Sequence, residues 1–111
     1  MLEAASRLLE REGIDVVGVA SSSAQALHLL RELRPDVALL DIELGEESGL
    51  DLADRVARLD EGLQTASILI SVYPEAEFAA LIAASPAAGF VHKGDLSANA
   101  IHSVLEASRE H

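Results

Sequence analysis

Three polar side chains, Asp41, Ser71 and Lys93, each stand at the carboxyl end of a short apolar run, and helical periodicity separates the runs. Residues 37–40, 68–70 and 90–91 read as strands, and 37–40 lack the polar alternation of a half-exposed strand, as expected for a parallel strand covered on both faces. In an open α/β sheet ligands bind beyond the carboxyl ends of the strands, where side chains from separate strands converge. A lone Asp at a strand end is more simply a helix cap or turn residue. Three such residues together point to a phosphoryl-accepting site.

The remaining pattern supplies the helices. Leu2, Ala5, Leu8 and Leu9 recur at helical spacing up to Gly13, predicting a helix over 2–12, and residues 15–20 read as a strand. Ser22 followed by Gln25 is a capping-box pattern, and Ala26, Leu27, Leu30 and Leu33 form the buried stripe of a helix ending before Pro35. After a loop over 42–47, Ser48 and Asp51 open a helix with Leu52, Ala53, Val56 and Leu59 inward. Its pairs Asp51/Arg55 and Asp54/Arg58 form a solvated face. A strand over 67–73 comes next, then a short helix after Pro74 with Phe78, Leu81 and Ile82 inward, a strand over 88–92 and a helix over 96–108. This alternation predicts one α/β domain, a doubly wound parallel sheet of four strands with five helices.

Composition narrows the function. With 111 residues the chain holds one domain at most, and a formal charge of −11 argues against direct nucleic-acid binding, which depends on Lys and Arg at phosphates. Lys93 is the single lysine, so its place at a strand end is less readily surface decoration. Without cysteine there are no disulfides or thiolate chemistry. No apolar stretch reaches membrane-spanning length, no signal peptide opens the chain, and a cytoplasmic location is expected. No Gly-rich phosphate loop follows a strand, Ser21-Ser22-Ser23 is explained as a helix cap, and the histidines read as surface or rim residues. A catalytic or nucleotide-binding enzyme is therefore not expected.

Pro35-Asp36-Val37-Ala38-Leu39-Leu40-Asp41-Ile42, Ser48-Gly49-Leu50, Ile70-Ser71 and Gly89-Phe90-Val91-His92-Lys93, with 30 residues from Asp41 to Ser71 and 22 from Ser71 to Lys93, resemble the receiver domain of bacterial two-component response regulators. The resemblance runs from Leu2 to about Ser108 and looks most like the receivers that precede helix-turn-helix output domains in transcription regulators. It implies a flavodoxin-like receiver fold with Asp41 as phosphoacceptor, Lys93 as its charge partner and Ser71 as a hydrogen-bond donor to the phosphoryl group. It further implies Mg²⁺ at Asp41 and the backbone carbonyl of Glu43, and a switch through Ser71 and Phe90 to the face of residues 75–84 and 95–108. A sensor histidine kinase, an output domain or partner protein, and a homodimer are the partners it implies.

The resemblance departs at the front. Receivers begin with a central apolar strand ending in an acidic pair that holds the metal, and this sequence starts inside the helix after that strand, with none of Glu3, Glu10 or Glu12 at a strand end. Losing about five buried apolar side chains would remove about 8 to 15 kcal/mol, comparable to the stability of a small domain. The expectation is an N-terminally truncated receiver over residues 1–111 whose own phosphorylation is impaired, the alternatives being closure of the strands at 15–20 and 37–42 into a four-stranded sheet or another chain filling the gap. The alternative function is an interaction module that keeps the receiver fold and works without phosphate.

Overall fold

A computed structural model describes residues 9–13, 22–44, 47–59 and 65–109. The strand expected over 15–20 and most of the helix expected over 2–12 lie outside these residues. Three parallel strands, β1 (Val37–Asp41), β4 (Ala66–Ser71) and β5 (Gly89–His92), form a sheet in the order β1-β4-β5. Asp41 stands opposite Ile70 across the first pair, and Ser71 opposite His92 across the second. Between β1 and β4 lie β2 (Glu43–Leu44) and β3 (Glu47–Ser48), a short antiparallel pair. The loop expected over 42–47 is thus partly strand, closed by pairing of Glu43 with Ser48.

The helices form where their local signals place them. In α1 (Ser23–Leu33) the Ser22 hydroxyl accepts from the Gln25 amide at 3.2 Å, and the helix ends on Arg34 in a left-handed conformation (φ 44°) before Pro35. In α2 (Gly49–Leu59) the Ser48 hydroxyl accepts from the Leu50 amide at 3.1 Å, and the four charged residues expected at the surface are exposed. A 3₁₀ turn over Glu75–Phe78 leads into α3 (Ala79–Ala84). That turn winds at three residues per turn and shifts the phase of the helix it leads into. Phe78 and Ile82 pack inward as expected, while Leu81 is 56% exposed. Leu33, at the last turn of α1, is likewise more exposed than its periodicity suggested, at 44%.

Alternation along the strands sorts the core into two layers. Leu40 and Leu69 face one way, onto Leu30, Leu52, Ala53 and Val56 from α1 and α2. Ile68, Ile70 and Val91 face the other way, onto Leu9, Leu96 and Ile101. Ile68, Leu69, Ile70 and Ser71 are all 0% exposed, so β4 is covered on both faces, whereas β1, for which such cover was expected, is half-buried over 37–39 and fully buried only at Leu40 and Asp41.

The final helix, α4 (Ala98–Arg109), starts two residues later than its periodicity suggested, because Ser97 caps it by accepting from the Ala100 amide at 3.0 Å. A second cap comes from far away in sequence. The Glu12 carboxylate, within the turn that ends at Gly13 with φ 90°, accepts from the Ala98 amide at 2.5 Å. Glu12→Ala should therefore cost about 1 kcal/mol of stability, the usual contribution of an N-terminal cap, read as a lower urea midpoint with an unchanged slope.

Candidate functional site

Because β1, β4 and β5 run parallel, their carboxyl ends share one edge of the sheet, and the three residues singled out from the sequence meet there. Asp41 is the last residue of β1, Ser71 the last of β4, and Lys93 directly follows β5. Lys93 Nζ donates to Asp41 Oδ2 at 2.5 Å, with side chains only 16% and 9% exposed. The second carboxylate oxygen, Oδ1, accepts from the Glu43 amide at 3.0 Å. A carboxylate this buried needs such partners, since removing water from a charge is costly unless it is paired and hydrogen-bonded.

Ser71 lies beside this pair. Its hydroxyl donates to Glu43 Oε1 at 2.6 Å and accepts from the Tyr73 amide at 3.0 Å. The expected role of Glu43 was confined to its backbone carbonyl, and the structure adds its side chain, which holds the hydroxyl proton of Ser71. Sequence offered one signal for this: Glu43 lies two residues beyond Asp41, where the chain has just turned off the sheet.

Phe90 stands on the same face of β5 as Leu69 on β4, is partly buried against the α1/α2 core layer, and lines a groove of ≈ 510 Å³ together with Pro74, His92 and Val104. Val72 and Tyr73, expected within the strand, lie beyond its end and are each 50% exposed. His28 is a surface residue, 3.9 Å from Glu32 on the same helix, and His102 is exposed, as expected. His92 is not a bare rim residue. Its Nε2 lies 2.8 Å from the Val72 carbonyl oxygen, and its Nδ1 accepts from the Gly94 amide at 3.0 Å.

Among the described residues no group of three or more His, Cys, Asp or Glu side chains is placed to hold a metal ion. Mg²⁺ usually takes one or two carboxylates and completes six oxygen positions with water and phosphate. Here Asp41 is bonded to Lys93 and Glu43 to Ser71, so the described side chains do not form a prebuilt Mg²⁺ site.

Backbone geometry makes Gly49 part of the site. Its amide donates to the Ile42 carbonyl at 3.1 Å, and a Cβ built there would stand 2.2 Å from the Asp41 carbonyl oxygen. No flexible side chain can yield at that contact. Gly49→Ala should cost about 1 to 3 kcal/mol or more through overpacking and displace the Asp41 backbone. Urea unfolding would register the first effect, and amide shifts at Asp41 and Ile42 the second.

The chain matches the family model of the response regulator receiver domain over residues 1–106. It is 32% identical over 87 residues to the response regulator GacA of Pseudomonas aeruginosa, covering 78% of this chain and 40% of that protein. With the virulence factors putative positive transcription regulator BvgA of Bordetella pertussis it shares 31% over 102 residues, 92% of this chain and 46% of that one. A protein-glutamate methylesterase/protein-glutamine glutaminase of Burkholderia thailandensis is 46% identical over 67 residues, 60% of this chain and 18% of that protein. The chain thus spans less than half the length of these curated relatives. Among solved structures, the signal receiver domain of the putative response regulator NarL from Mycobacterium tuberculosis superposes with a TM-score of 0.79 at 32% identity, covering 98% of this chain and 87% of that one.

Proposed function

The chain belongs to the response regulator receiver domain family of bacterial two-component signalling, and on that footing we propose that Asp41 accepts a phosphoryl group. The observation that carries this reading is the Lys93–Asp41 contact at 2.5 Å, with the Ser71 hydroxyl held by Glu43 beside it, at the carboxyl edge of a parallel sheet. In the proposed step an Asp41 carboxylate oxygen attacks phosphorus in line. The new O–P bond forms as the bond to the donor's leaving group breaks, and that group departs with the electron pair. Such a transfer asks the protein mainly for position and for neutralisation of the phosphoryl oxygens. Lys93 supplies the positive charge. Ser71 supplies a hydrogen bond after exchanging Glu43 for a phosphoryl oxygen. Mg²⁺, which the family implies, would meet Asp41 and the Glu43 carbonyl.

Ser71 moving toward the phosphoryl group would leave space that Phe90 can enter from the neighbouring strand. Phe90 has no hydroxyl, so the relay to the face of residues 75–84 and 95–108 would rest on packing alone. That face would meet an output domain, a partner protein or a second copy, and the phosphoryl donor would be a sensor histidine kinase in the cytoplasm. Among the described residues no helix is long and apolar enough to cross a membrane. The proposed unit is residues 1–111 as one signalling domain without an enzymatic activity of its own.

Intact-mass spectrometry after incubation with acetyl phosphate and Mg²⁺ tests the acceptor: the wild-type chain should gain one phosphoryl mass on a fraction of molecules, its labelling slowed because no metal site is prebuilt among the described residues, and Asp41→Ala none. An unmodified wild type would favour the second reading, a phosphate-independent interaction module. That reading draws support from Asp41 and Ser71 being already satisfied by protein groups, and it predicts partner binding unchanged in Asp41→Ala. The Glu43 contact gives a further expectation. Glu43→Ala frees the Ser71 hydroxyl and removes a negative charge from the path of an anion, so the same assay should show several-fold faster labelling, while Glu43→Gln, which can still accept from Ser71, should lie between.

A further inference from the structure

The two contacts of His92 fix its chemical form. A peptide N–H can only donate, so Nδ1, which faces the Gly94 amide at 3.0 Å, must carry a lone pair. A peptide carbonyl can only accept, so Nε2, 2.8 Å from the Val72 oxygen, must carry the proton. Both contacts hold only for the neutral Nε2–H imidazole.

These contacts join the two strand ends that matter. His92 is the last residue of β5 and caps the 3₁₀ turn Lys93–Asp95 through the Gly94 amide. Its other nitrogen reaches Val72, the residue directly after Ser71. Lys93 opens the turn that the ring closes, and its ammonium spans from there to Asp41. Gly94 makes room for the arrangement, since a Cβ there would lie 3.0 Å from Nδ1.

We infer that His92 is a positioning residue for Lys93: as the neutral Nε2–H tautomer it locks the Lys93 turn to the exit of the Ser71 strand and so aims the ammonium at Asp41. That Lys93 serves a phosphoryl group rests on the function proposed above. That His92 holds it in place is tested without any phosphoryl transfer.

Lys93 is the single lysine of the chain, so its acetylation by acetic anhydride can be followed by peptide mass spectrometry without interference from other lysines. Asp41→Ala, which releases the ammonium, sets the fast limit. His92→Ala should label Lys93 about fivefold faster than wild type, the factor by which loss of a cap worth ~1 kcal/mol eases opening of the turn. His92→Asn should bring the rate part of the way back to wild type, because its Oδ1 takes the place of Nδ1 and accepts from Gly94 while its shorter side chain leaves the Val72 carbonyl without a donor. Long-range ¹H–¹⁵N correlation at neutral pH should show the proton on Nε2. Three results would each overturn the inference: a wild-type rate in His92→Ala, an Asn variant as fast as the Ala variant, or a proton on Nδ1. Rates that merely track the urea midpoints of the variants would do the same, since they would mark a general loss of stability.

Discussion

Lys93 and Asp41 are 52 positions apart in sequence, and their contact at 2.5 Å draws together the ends of β1 and β5 across the width of the described sheet. An ion pair shielded to this degree adds little net stability, because the loss of water offsets most of the attraction. Its effect is on arrangement. With Lys93 removed, Asp41 would be a buried carboxylate bonded to one amide, and with Asp41 removed the ammonium would have no anion. The sheet therefore has to keep β1, β4 and β5 in register for either charge to be tolerated, and the two-sided burial of β4 between them is what keeps that register.

Around the pair, the site is satisfied by protein groups. Both Asp41 oxygens are engaged, the Ser71 hydroxyl is engaged, and both ring nitrogens of His92 are engaged. No buried side-chain polar atom among the described residues lacks a partner. An incoming anion would therefore enter by exchange rather than by filling a vacant socket. Glu43 is the group most directly in competition, because it is negative and already holds the hydroxyl an anion would want.

The convergence of Asp41, Ser71 and Lys93 was legible in the sequence because it follows from strand direction, and strand direction follows from the alternation of apolar runs with helical periodicity. The Ser22 cap was legible because it is written within a few consecutive residues. What escaped depends on tertiary placement. Glu43 meets Ser71 across 28 positions and Glu12 meets Ala98 across 86, distances over which no periodic pattern carries information. Leu81 was assigned inward by a helical period that a 3₁₀ onset had already shifted. His92 was read as a surface or rim residue like the other histidines, whereas the His92-Lys93-Gly94 run, a ring followed at two residues by a glycine amide, held the better clue.

The Glu12 cap on α4 bears on the order of assembly. Contacts between residues so distant in sequence carry the largest loop-closure cost and tend to form after local structure is in place. Leu9 lies in the same core layer as Ile101, so the early helical turn and the last helix complete each other's environment. Closure of the far face of the sheet is then expected late on the way to the native state. Interactions made after the rate-limiting step slow unfolding more than they speed folding, so a contact that closes last would act chiefly as a brake on opening.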